Sequence, residues 1–591
     1  MPTSNRDVSR PWIACASRRS VNLWTAQSSP TRNAALLCWS CSANAGYMPK
    51  AAASGIKNLK LKSMMLLHAD MRSIFNLVKK CANKALSAHK NSITGHTAQN
   101  VRLSHISMHL FALLSKTAHE HPEAEAFISE DSRCTFSQMH ATSRALSAHL
   151  HEQGIRHGMR IAILYPNGIP FVSVVFALLR LGAVCVPLNW RLTPKELRAQ
   201  LQHADASCLL HDDECRANLP STPNIKTLCI DFNALPQQAK TPLPTPPRGF
   251  DPACIVYTAG TSDNPRGVVL SHANLLANSA HYCAACGFAP GQRELATTQL
   301  FHISTFSRLF TYVRSATTCY LMKRFLPDAC FEIMQSENIT SITQAPTMYQ
   351  MLLQADSGRI SSGAALSRVI TGASAMSPAE RQDLRELFPN AALYDIYGQT
   401  EAGPGISVLG PQDFFNKPNS VGKPMPGVRI AIVDKEGQEL PPGSIGEITC
   451  QGPNVMQGYF RNEAATSEVL IRGRLHTGDM GSIDKEGFVY IAGRKKDIII
   501  TGGINVHPTE IENVLRLHPG VKDCAVFGVP DTHWGEAIVA AVVLRSATIA
   551  EIQAHCREHL AGFKCPKKIL PVSDIPRNSA GKIMRRELNN E

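Results

Sequence analysis

The sequence predicts an α/β protein built from three successive architectures. From Phe127 to about residue 425, apolar strand-like runs alternate with helical patterns, which is typical of parallel sheets covered by helices on both faces. Beyond Gly427 the pattern changes to short strands separated by turns, as in VRIAIVD and GEITCQG, and predicts a β-rich subdomain. From Lys495 onward, strands such as CAVFGV and AIVAAVVL mix with two short helical stretches and predict a small α+β domain.

The charge of the chain is unevenly distributed. The 591 residues are too many for one core, and 44% hydrophobic with 18% charged residues is typical of globular domains. Residues 1–107 contain 15 Lys and Arg but only Asp7 and Asp70 as acids, whereas the remainder contains 45 basic and 45 acidic residues. The net charge of +13 therefore belongs to the leader, and we expect no nucleic-acid binding by the rest of the chain.

Three interpretations of this leader, residues 1–107, remain open. It is a transit peptide for an organelle, a disordered basic tail, or upstream sequence translated from a start codon set too early. A stretch from Met71, MRSIFNLVKKCANKALSAHK, is basic and amphipathic and would allow peripheral membrane contact. Nucleic-acid binding by the leader is a further idea, and it predicts salt-sensitive binding that deletion of residues 1–107 abolishes. We predict a cytoplasmic protein, or organelle import if the leader is a genuine transit peptide.

Cysteine usage and hydropathy narrow the class of protein further. The 18 cysteines are scattered singly, which indicates a reducing compartment and buried thiols. Two lone CxxC pairs, one of them Cys283/Cys286, lack the second pair that a metal site needs. The most apolar run, Phe171 to Leu188, is interrupted by Arg180 and Pro187, so we expect no transmembrane segment.

The first predicted helices and strands follow from the spacing of apolar residues and from helix-capping residues. Helical spacing from Ser137 to Gly154 predicts a helix with Ser137 as its N-cap. Thr193 followed by Glu196 predicts a capping box. Pro220 to Pro252 is rich in proline and predicts an irregular surface connection. Between these features the pattern predicts a strand at Arg160–Tyr165, a helix at Ile169–Leu181 and a strand at Ala183–Leu188.

The stretch Ile255 to Val268, IVYTAGTSDNPRGV, predicts a strand end followed by a phosphate-binding loop. Small residues let a backbone approach a ligand, and hydroxyls with one fixed cation suit phosphate oxygens. The loop fits neither GxxxxGK[ST] nor GxGxxG, and a plain turn is the alternative interpretation. Ser271 then begins a predicted helix. The residues proposed for the cradle are Thr258, Gly260, Thr261, Ser262 and Arg266.

Three later stretches favour the phosphate-loop interpretation over the plain turn: YDIYGQTEAG (394–403), HTGDMG (476–481) with GRKKDIIITGG (493–503), and NSAGKIMRREL (578–588). Their identities, order and spacing resemble the adenylate-forming superfamily of acyl-CoA synthetases, aryl-CoA ligases, luciferases and peptide-synthetase adenylation domains. The resemblance covers about Met108 to Glu591. It implies an N-terminal domain at residues 108–494 and a small mobile C-terminal domain at residues 495–591.

The resemblance also implies a reaction and its cofactors. A fatty or aryl carboxylic acid would attack ATP to give acyl-AMP and pyrophosphate, after which CoA would displace AMP. ATP, Mg²⁺ and coenzyme A are therefore expected, with a small carboxylic acid as substrate. Two rivals remain: an enzyme that loads a carrier protein, and a non-catalytic nucleotide-binding descendant. The second is suggested by departures from the family pattern YTSGTTGxPKG, namely Ala259 and above all Asp263, an anion placed beside phosphates.

Residues for the nucleotide and the metal follow from the same resemblance. Tyr397 would stack on adenine, Thr400 would reach a phosphate, and Glu401 would hold Mg²⁺ together with Thr261. Asp479 would accept both ribose hydroxyls. The segments that would complete the nucleotide pocket are Gly372, Ala373 and Ser374 in ITGASAMSP, Gly398 and Gln399 beside Tyr397, and Arg494 in GRKKD.

The remaining predicted residues belong to the moving domain and to the acid pocket. Lys582 would stabilise the transition state of adenylation, since a compact ammonium suits developing phosphate charge. Lys496 matches the hinge, and Gly502 with Gly503 would let the pantetheine arm pass. His302, in LFHIST, would gate the acid carboxylate, although a satisfied core histidine is the alternative. In the same segment Thr305 replaces a glycine, which would narrow the acid pocket.

Overall fold

The computed structural model describes residues 108–130, 132–222, 224–235, 242–258, 266–355, 366–577 and 583–588. The predictions for the leader and for residues 259–265 and 578–582 lie outside these ranges. Within them no helix is long and apolar enough to cross a bilayer.

The larger sheet has nine strands and is mainly parallel. Its interior strands are parallel, whereas the outermost strand pairs at both ends of the sheet are antiparallel. From edge to edge it consists of β15 (Lys423–Pro424), β14 (Gly405–Leu409), β13 (Ala392–Gly398), β12 (Arg368–Gly372), β11 (Ser341–Gln344), β9 (Arg293–Ala296), β10 (Thr318–Leu321), β1 (Glu125–Ser129) and β2 (Ser132–Thr135).

The second sheet has seven strands and differs from the prediction at both ends. Residues 267–271, which follow the predicted phosphate loop, form a strand that pairs antiparallel with residues 252–257, with Gly267 opposite Tyr257. The predicted irregular connection, Pro220 to Pro252, contains an edge strand at Lys226–Cys229. From edge to edge the strands are β18 (Gly458–Tyr459), β8 (Gly267–Ser271), β7 (Pro252–Tyr257), β4 (Val184–Pro187), β3 (Arg160–Leu164), β5 (Cys208–His211) and β6 (Lys226–Cys229).

Helices cover these two sheets. They are α1 (Leu110–Glu120), α2 (Phe136–Glu152), α3 (Ile169–Leu181), α4 (Pro194–His203), α5 (His272–Cys286), α6 (Ile303–Ser315), α7 (Pro327–Ser336), α8 (Pro346–Ala355) and α9 (Pro378–Leu387). The largest hydrophobic cluster joins both sheets to α1, α2, α3, α5 and α6. The α5 and α6 helices therefore share one hydrophobic core with both sheets.

Two capping predictions had different outcomes. Thr193 and Glu196 form the predicted capping box at the start of α4. The predicted N-cap at Ser137 is wrong, because Thr135 caps α2. The Thr135 hydroxyl accepts a hydrogen bond from the Gln138 N–H, and the Gln138 side chain accepts one from the Thr135 N–H. Helical spacing located the helix, but the side-chain bonds placed its start two residues earlier.

The β-rich subdomain and the small α+β domain are both present. Five antiparallel strands form the first: β16 (Arg429–Val433), β17 (Gly446–Gln451), β19 (Leu470–Ile471), β20 (Arg474–Ile483) and β21 (Val489–Arg494), with the helix α10 (Glu463–Val469) beside them. The second has its own sheet and helices: β22 (Ile499–Thr501), β23 (Ile504–Val506), β24 (Val521–Asp531), β25 (Gly535–Leu544), β26 (Lys568–Pro571), α11 (Pro508–Leu517), α12 (Ile549–His559) and α13 (Arg585–Leu588).

This last domain also has its own hydrophobic clusters on the two faces of its sheet. The sequence therefore predicted the three architectures correctly. The boundary at residue 495 and the mobility of the last domain stay predictions.

Candidate active site

Two predicted loops begin side by side at the carboxyl ends of two neighbouring strands of the large sheet. The neighbouring parallel strands β12 and β13 place Gly372 opposite Ile396, so the loops that follow them begin side by side. A Cβ on Gly372 would lie 2.6 Å from the Ile396 carbonyl oxygen, which explains the glycine. Ala373 follows with φ at +72°, a backbone conformation that is unfavourable in free energy for a residue with a Cβ. Ser374 is partly buried next to it.

The loop after β13 is held by its own backbone. A Cβ on Gly398 would lie 1.9 Å from the Pro404 carbonyl oxygen, and the Gln399 N–H donates to that same oxygen at 3.0 Å. Thr400 then begins a single 3₁₀ turn that contains Glu401. These contacts fix the positions of the predicted adenine-binding and metal-binding residues relative to one another.

Residues from three separate motifs meet around the Asp479 carboxylate. The Tyr397 hydroxyl donates to Asp479 Oδ2 at 2.7 Å, and Arg494 Nε lies 2.6 Å from Oδ1. The antiparallel register of β20 and β21 pairs Asp479 directly with Arg494. Burial and the neighbouring Asp479 carboxylate raise the pKa of Tyr397, so its hydroxyl stays protonated. We call Tyr397, Asp479 and Arg494 the ribose-side cluster.

A second contact joins the phosphate loop to the predicted metal carboxylate. The Tyr459 hydroxyl donates to Glu401 Oε1 at 2.8 Å, and the Arg266 guanidinium lies over the Tyr459 ring at 5.3 Å. At the base of the loop the Thr258 N–H donates to the Arg266 carbonyl oxygen at 3.2 Å. Tyr459 was not predicted from the sequence, because it lies on the two-residue strand β18 and no local pattern indicates that this strand pairs with β8.

The protein groups near Glu401 suit a hard cation that takes few of its ligands from the protein. In the part of the chain that is described, no group of three or more His, Cys, Asp and Glu side chains could hold a metal ion. One carboxylate is what Mg²⁺ needs when phosphate oxygens and water complete its shell. Glu401 can supply it. Three predicted residues of the cradle, Gly260, Thr261 and Ser262, lie outside the described residues.

A buried acid that was also not predicted from the sequence joins HTGDMG to GRKKD. Glu447 accepts from Lys495 Nζ at 3.0 Å, from His476 Nδ1 at 3.2 Å and from the Gly478 N–H at 3.2 Å. Burial acts to raise the pKa of Glu447, but Lys495 and His476 outweigh it and hold this pKa below its ordinary value. Glu447 therefore stays ionised and fixes the turn that carries Asp479.

The predicted residues of the last domain have different surroundings. Lys496 is exposed beside Lys495, and its role as a hinge stays a prediction. Gly502 and Gly503 form the turn between β22 and β23 with φ of +58° and +78°, which only glycine adopts readily at two successive positions. Lys582 lies outside the described residues.

The segment that follows Lys582 is held by two acids. Arg585 lies 2.6 Å from a Glu512 oxygen and 3.5 Å from an Asp497 oxygen. Asp497 directly follows the predicted hinge lysine in the chain. The position of α13 is therefore tied both to the hinge segment and to α11, which carries Glu512.

His302 and Thr305 begin the helix α6, apart from the ribose-side cluster. His302 is the N-cap residue of α6 and packs against Phe301, with ring centroids 4.5 Å apart. Burial and, to a smaller extent, Arg191 lower the pKa of His302 to about 4, so the ring is neutral near pH 7. Thr305 is fully buried and its hydroxyl bonds to the Thr298 hydroxyl, so it projects into the core. The gating role of His302 stays a prediction.

Comparisons with known proteins identify the family of this chain. The AMP-binding enzyme family matches residues 114–460, and the AMP-binding enzyme C-terminal domain matches residues 510–582. A 2-succinylbenzoate–CoA ligase of Bacillus cereus (strain AH820) is 33% identical over 471 residues, 79% of this chain and 95% of the relative. A feruloyl-CoA synthase of an Amycolatopsis species is 34% identical over 473 residues, 79% and 96% of the two chains.

Solved structures agree as well. The o-succinylbenzoate CoA synthetase of Bacillus subtilis, in complex with its acyl-adenylate, superposes with a TM-score of 0.72 at 30% identity over 81% of this chain and 98% of that one. A fatty acyl CoA synthetase of Mycobacterium tuberculosis gives 0.67 at 26% identity, over 82% and 98%. The chain thus belongs to the AMP-binding enzymes, the adenylate-forming superfamily whose acid–CoA ligases activate a carboxylate with ATP.

Proposed function

We propose that this ligase joins an aryl carboxylic acid to coenzyme A, with acyl-AMP and pyrophosphate formed first and acyl-CoA and AMP second. The observation that carries the proposal is the ribose-side cluster, in which Tyr397, Asp479 and Arg494 converge from three distant segments. An aryl acid rather than a fatty acid is favoured because the relatives at 33% and 34% identity are a 2-succinylbenzoate–CoA ligase and a feruloyl-CoA synthase.

In this proposal each group of the site has one task. The Asp479 carboxylate, held by Tyr397 and Arg494, accepts hydrogen bonds from the ribose hydroxyls. Arg266 and the hydroxyls of the phosphate loop bind the leaving pyrophosphate. Mg²⁺ supplies charge neutralisation of the phosphates when bound, and Glu401 with Thr261 would hold it. Neutral His302 at the start of α6 lies beside the acid carboxylate without adding charge.

The C-terminal domain completes the second half-reaction. Lys582 contacts the carboxylate and the α-phosphate while acyl-AMP forms. Rotation about Lys496 then withdraws Lys582 and brings the Gly502–Gly503 turn to the acid pocket, where it leaves room for the pantetheine arm. The network of Arg585, Asp497 and Glu512 keeps α13 attached to the domain during this rotation.

The test is acid-dependent formation of AMP from ATP and Mg²⁺, with and without CoA. The assay uses the full chain and residues 108–591, with short, medium and long fatty acids and a set of aromatic acids. Lys582→Ala should abolish AMP formation, and Lys522→Ala, an exposed lysine on β24, serves as the matched control. Aryl-CoA and AMP formed together support the ligase.

Each other outcome contradicts a defined part of the proposal. AMP formed only with fatty acids would overturn the aryl assignment. AMP formed without acyl-CoA would indicate that a carrier protein is the acceptor. No AMP from any acid, despite measurable ATP binding, would favour the non-catalytic descendant, and Asp263→Gly would then be assayed.

A further inference from the structure

The end of the helix α4 lies against the strand that leads into the predicted phosphate loop. Nδ1 of His203, the last residue of α4, is 2.9 Å from the Tyr257 hydroxyl oxygen. The same hydroxyl donates to the Gln200 carbonyl oxygen at 3.2 Å. Because a hydroxyl has a single hydrogen and Gln200 accepts it, the imidazole is the donor in the contact with His203. Tyr257 is therefore bonded twice to the last turn of α4.

Tyr257 lies at the base of the predicted phosphate loop. It is the last residue of β7, and the next residue, Thr258, donates its N–H to the Arg266 carbonyl oxygen at 3.2 Å. In the antiparallel register Tyr257 faces Gly267, and a Cβ on Gly267 would lie 3.5 Å from the Tyr257 ring. Burial raises the pKa of Tyr257, so the hydroxyl keeps the hydrogen that Gln200 accepts. The two contacts with α4 therefore fix the residues from which the loop begins and ends.

The His203 ring also reaches the chain segment on the other side of β8. It lies edge-on to the Tyr257 and Phe460 rings, with its centroid 5.6 and 6.2 Å from theirs. Phe460 directly follows Tyr459 of β18, whose hydroxyl bonds to Glu401. In the sheet, β8 lies between β7 and β18. One imidazole thus contacts both the base of the predicted phosphate loop and the segment that holds the predicted metal carboxylate.

A nearby ion pair contributes less to this arrangement. Arg461 lies 2.7 Å from an Asp205 oxygen, but the two side chains are 62% and 49% exposed. Exposed ion pairs are screened by water and salt and stabilise little. Tyr257 and Phe460, in contrast, pack against the hydrophobic cluster that contains Leu201 of α4. The contacts to these two rings, rather than the ion pair, therefore join α4 to this edge of the sheet.

We propose that His203 and Tyr257 are positioning residues for the first half-reaction, the transfer of AMP to the acid. They act through other residues, because they hold Arg266 and Glu401, the predicted partners of the leaving pyrophosphate and of Mg²⁺. A misplacement of about 1 Å in such groups can lower a rate about 10²-fold. This inference rests on the proposed function. It implies that the second half-reaction does not depend on the pair, because pyrophosphate has left before CoA reacts.

Three variants test this role. His203→Ala removes both the hydrogen-bond donor and the ring. His203→Asn keeps a donor, since the amide nitrogen of asparagine is the same number of bonds from Cα as Nδ1 of histidine. Tyr257→Phe removes only the hydroxyl. Gln202→Ala, at an exposed position on the same helix, is the matched control.

Two kinds of measurement are made on the full chain. Calorimetry without acid gives the Kd of ATP with Mg²⁺ and the Kd of AMP. Single-turnover kinetics give the rate of acyl-AMP formation from an aromatic acid and ATP. A separate reaction gives the rate of acyl-CoA formation from chemically synthesised acyl-AMP and CoA. Loss of folded protein would lower both rates alike, whereas loss of positioning should affect only ATP and the first rate.

We expect His203→Ala to slow acyl-AMP formation about 10-fold and Tyr257→Phe about 5-fold, and each to raise the Kd of ATP about 5-fold. The Kd of AMP and the rate of acyl-CoA formation should change by less than about 2-fold. His203→Asn should recover to within about 3-fold of the wild type. Combining His203→Ala with Tyr257→Phe should add little, because the two variants remove the same contact. Gln202→Ala should behave as the wild type.

The calorimetry separates failure of this inference from failure of the proposed function. If the wild type forms no acyl-AMP from any acid, the proposed function fails, and the ratio of the two Kd values decides this inference by itself. The inference is overturned if His203→Ala slows both half-reactions by one factor, weakens ATP and AMP equally, or changes neither. It is also overturned if His203→Asn is no better than His203→Ala. Should Tyr257→Phe not fold, His203→Ala decides, because His203 is exposed.

Discussion

The nucleotide side and the acid side of this site satisfy their polar groups in opposite ways. On the nucleotide side, both oxygens of Asp479 are bonded within the protein, one to Tyr397 and one to Arg494. On the helix α6, which begins at the predicted acid-side residue His302, Arg308 Nε and the Tyr312 hydroxyl have no partner in the described part of the chain. The first set of polar groups is satisfied by the fold itself, whereas the second is left unsatisfied among the described residues.

Replacing Asp479 by Asn should have the largest effect. It removes the charge that two hydrogen bonds and the ribose depend on, and at 1.5 to 3 kcal/mol for each charged hydrogen bond we expect kcat/KM for ATP to fall about 10³-fold. If the nucleotide side is independent of the acid, the loss should be the same with every acid that is turned over. Steady-state kinetics with several acids measure this, with Asp383→Asn on α9 as control. If the loss in kcat/KM for ATP differed from one acid to another, the nucleotide side would not be independent of the acid.

The contact between Tyr459 and Glu401 provides a smaller test of the same side. Glu401→Gln should lower kcat about 10²-fold at fixed Mg²⁺ and raise the Mg²⁺ concentration needed for half-maximal rate, because the carboxylate is lost. Tyr459→Phe keeps the carboxylate and removes one bond, so about 10-fold is expected. Mg²⁺ titration of both variants measures the difference. Equal losses would show that Tyr459, rather than Glu401, is the essential group.

The acid side predicts a pH dependence of stability. The pKa of His302 is lowered to about 4 in the folded protein, so between this value and its ordinary value of 6.5 the unfolded chain binds more protons. The contribution of neutral His302 to the free energy of unfolding is therefore complete above pH 6.5. It declines as the pH falls toward 4, by about 2 kcal/mol at pH 5. His302→Gln should lose less stability than the wild type between pH 7.5 and pH 5.

Urea unfolding at the two pH values measures this difference. His119→Gln, at an exposed position on α1, is the control and should behave as the wild type. An unchanged pH dependence in His302→Gln would mean that the ring is not held neutral by burial.

The smallest expected effect concerns the loop after β12. Ala373 has φ at +72°, and glycine there should raise the free energy of unfolding by about 0.5 to 1 kcal/mol, the relief of strain less the added entropy of the unfolded chain. Ala375→Gly in the same loop lacks the strain and should destabilise. Urea midpoints compare the two. Destabilisation by Ala373→Gly would show that the loop does not store strain.

Much of the nucleotide side was predictable because its residues occur in short strings. YDIYGQTEAG and HTGDMG place Tyr397, Glu401 and Asp479 in segments whose identities are readable from the sequence. Tyr459 and Glu447 were not predictable in their roles, since each acts across strands that are distant in sequence. Arg308 was missed for another reason: within LFHISTFSRLF it reads as a charged residue on an amphipathic helix, and only the packing of α6 shows that it is buried.

The sequence alone determined the order of the architectures, because periodicity and turn residues act locally and need no distant partner. It also indicated the family, because the motifs that carry the resemblance are short and contiguous. The tertiary structure decided which residues meet: the hairpin of β7 and β8, the bridge through Tyr459, and the burial of Arg308. Burial and register depend on segments far apart in the chain, and these set the free-energy cost of an unpaired buried charge.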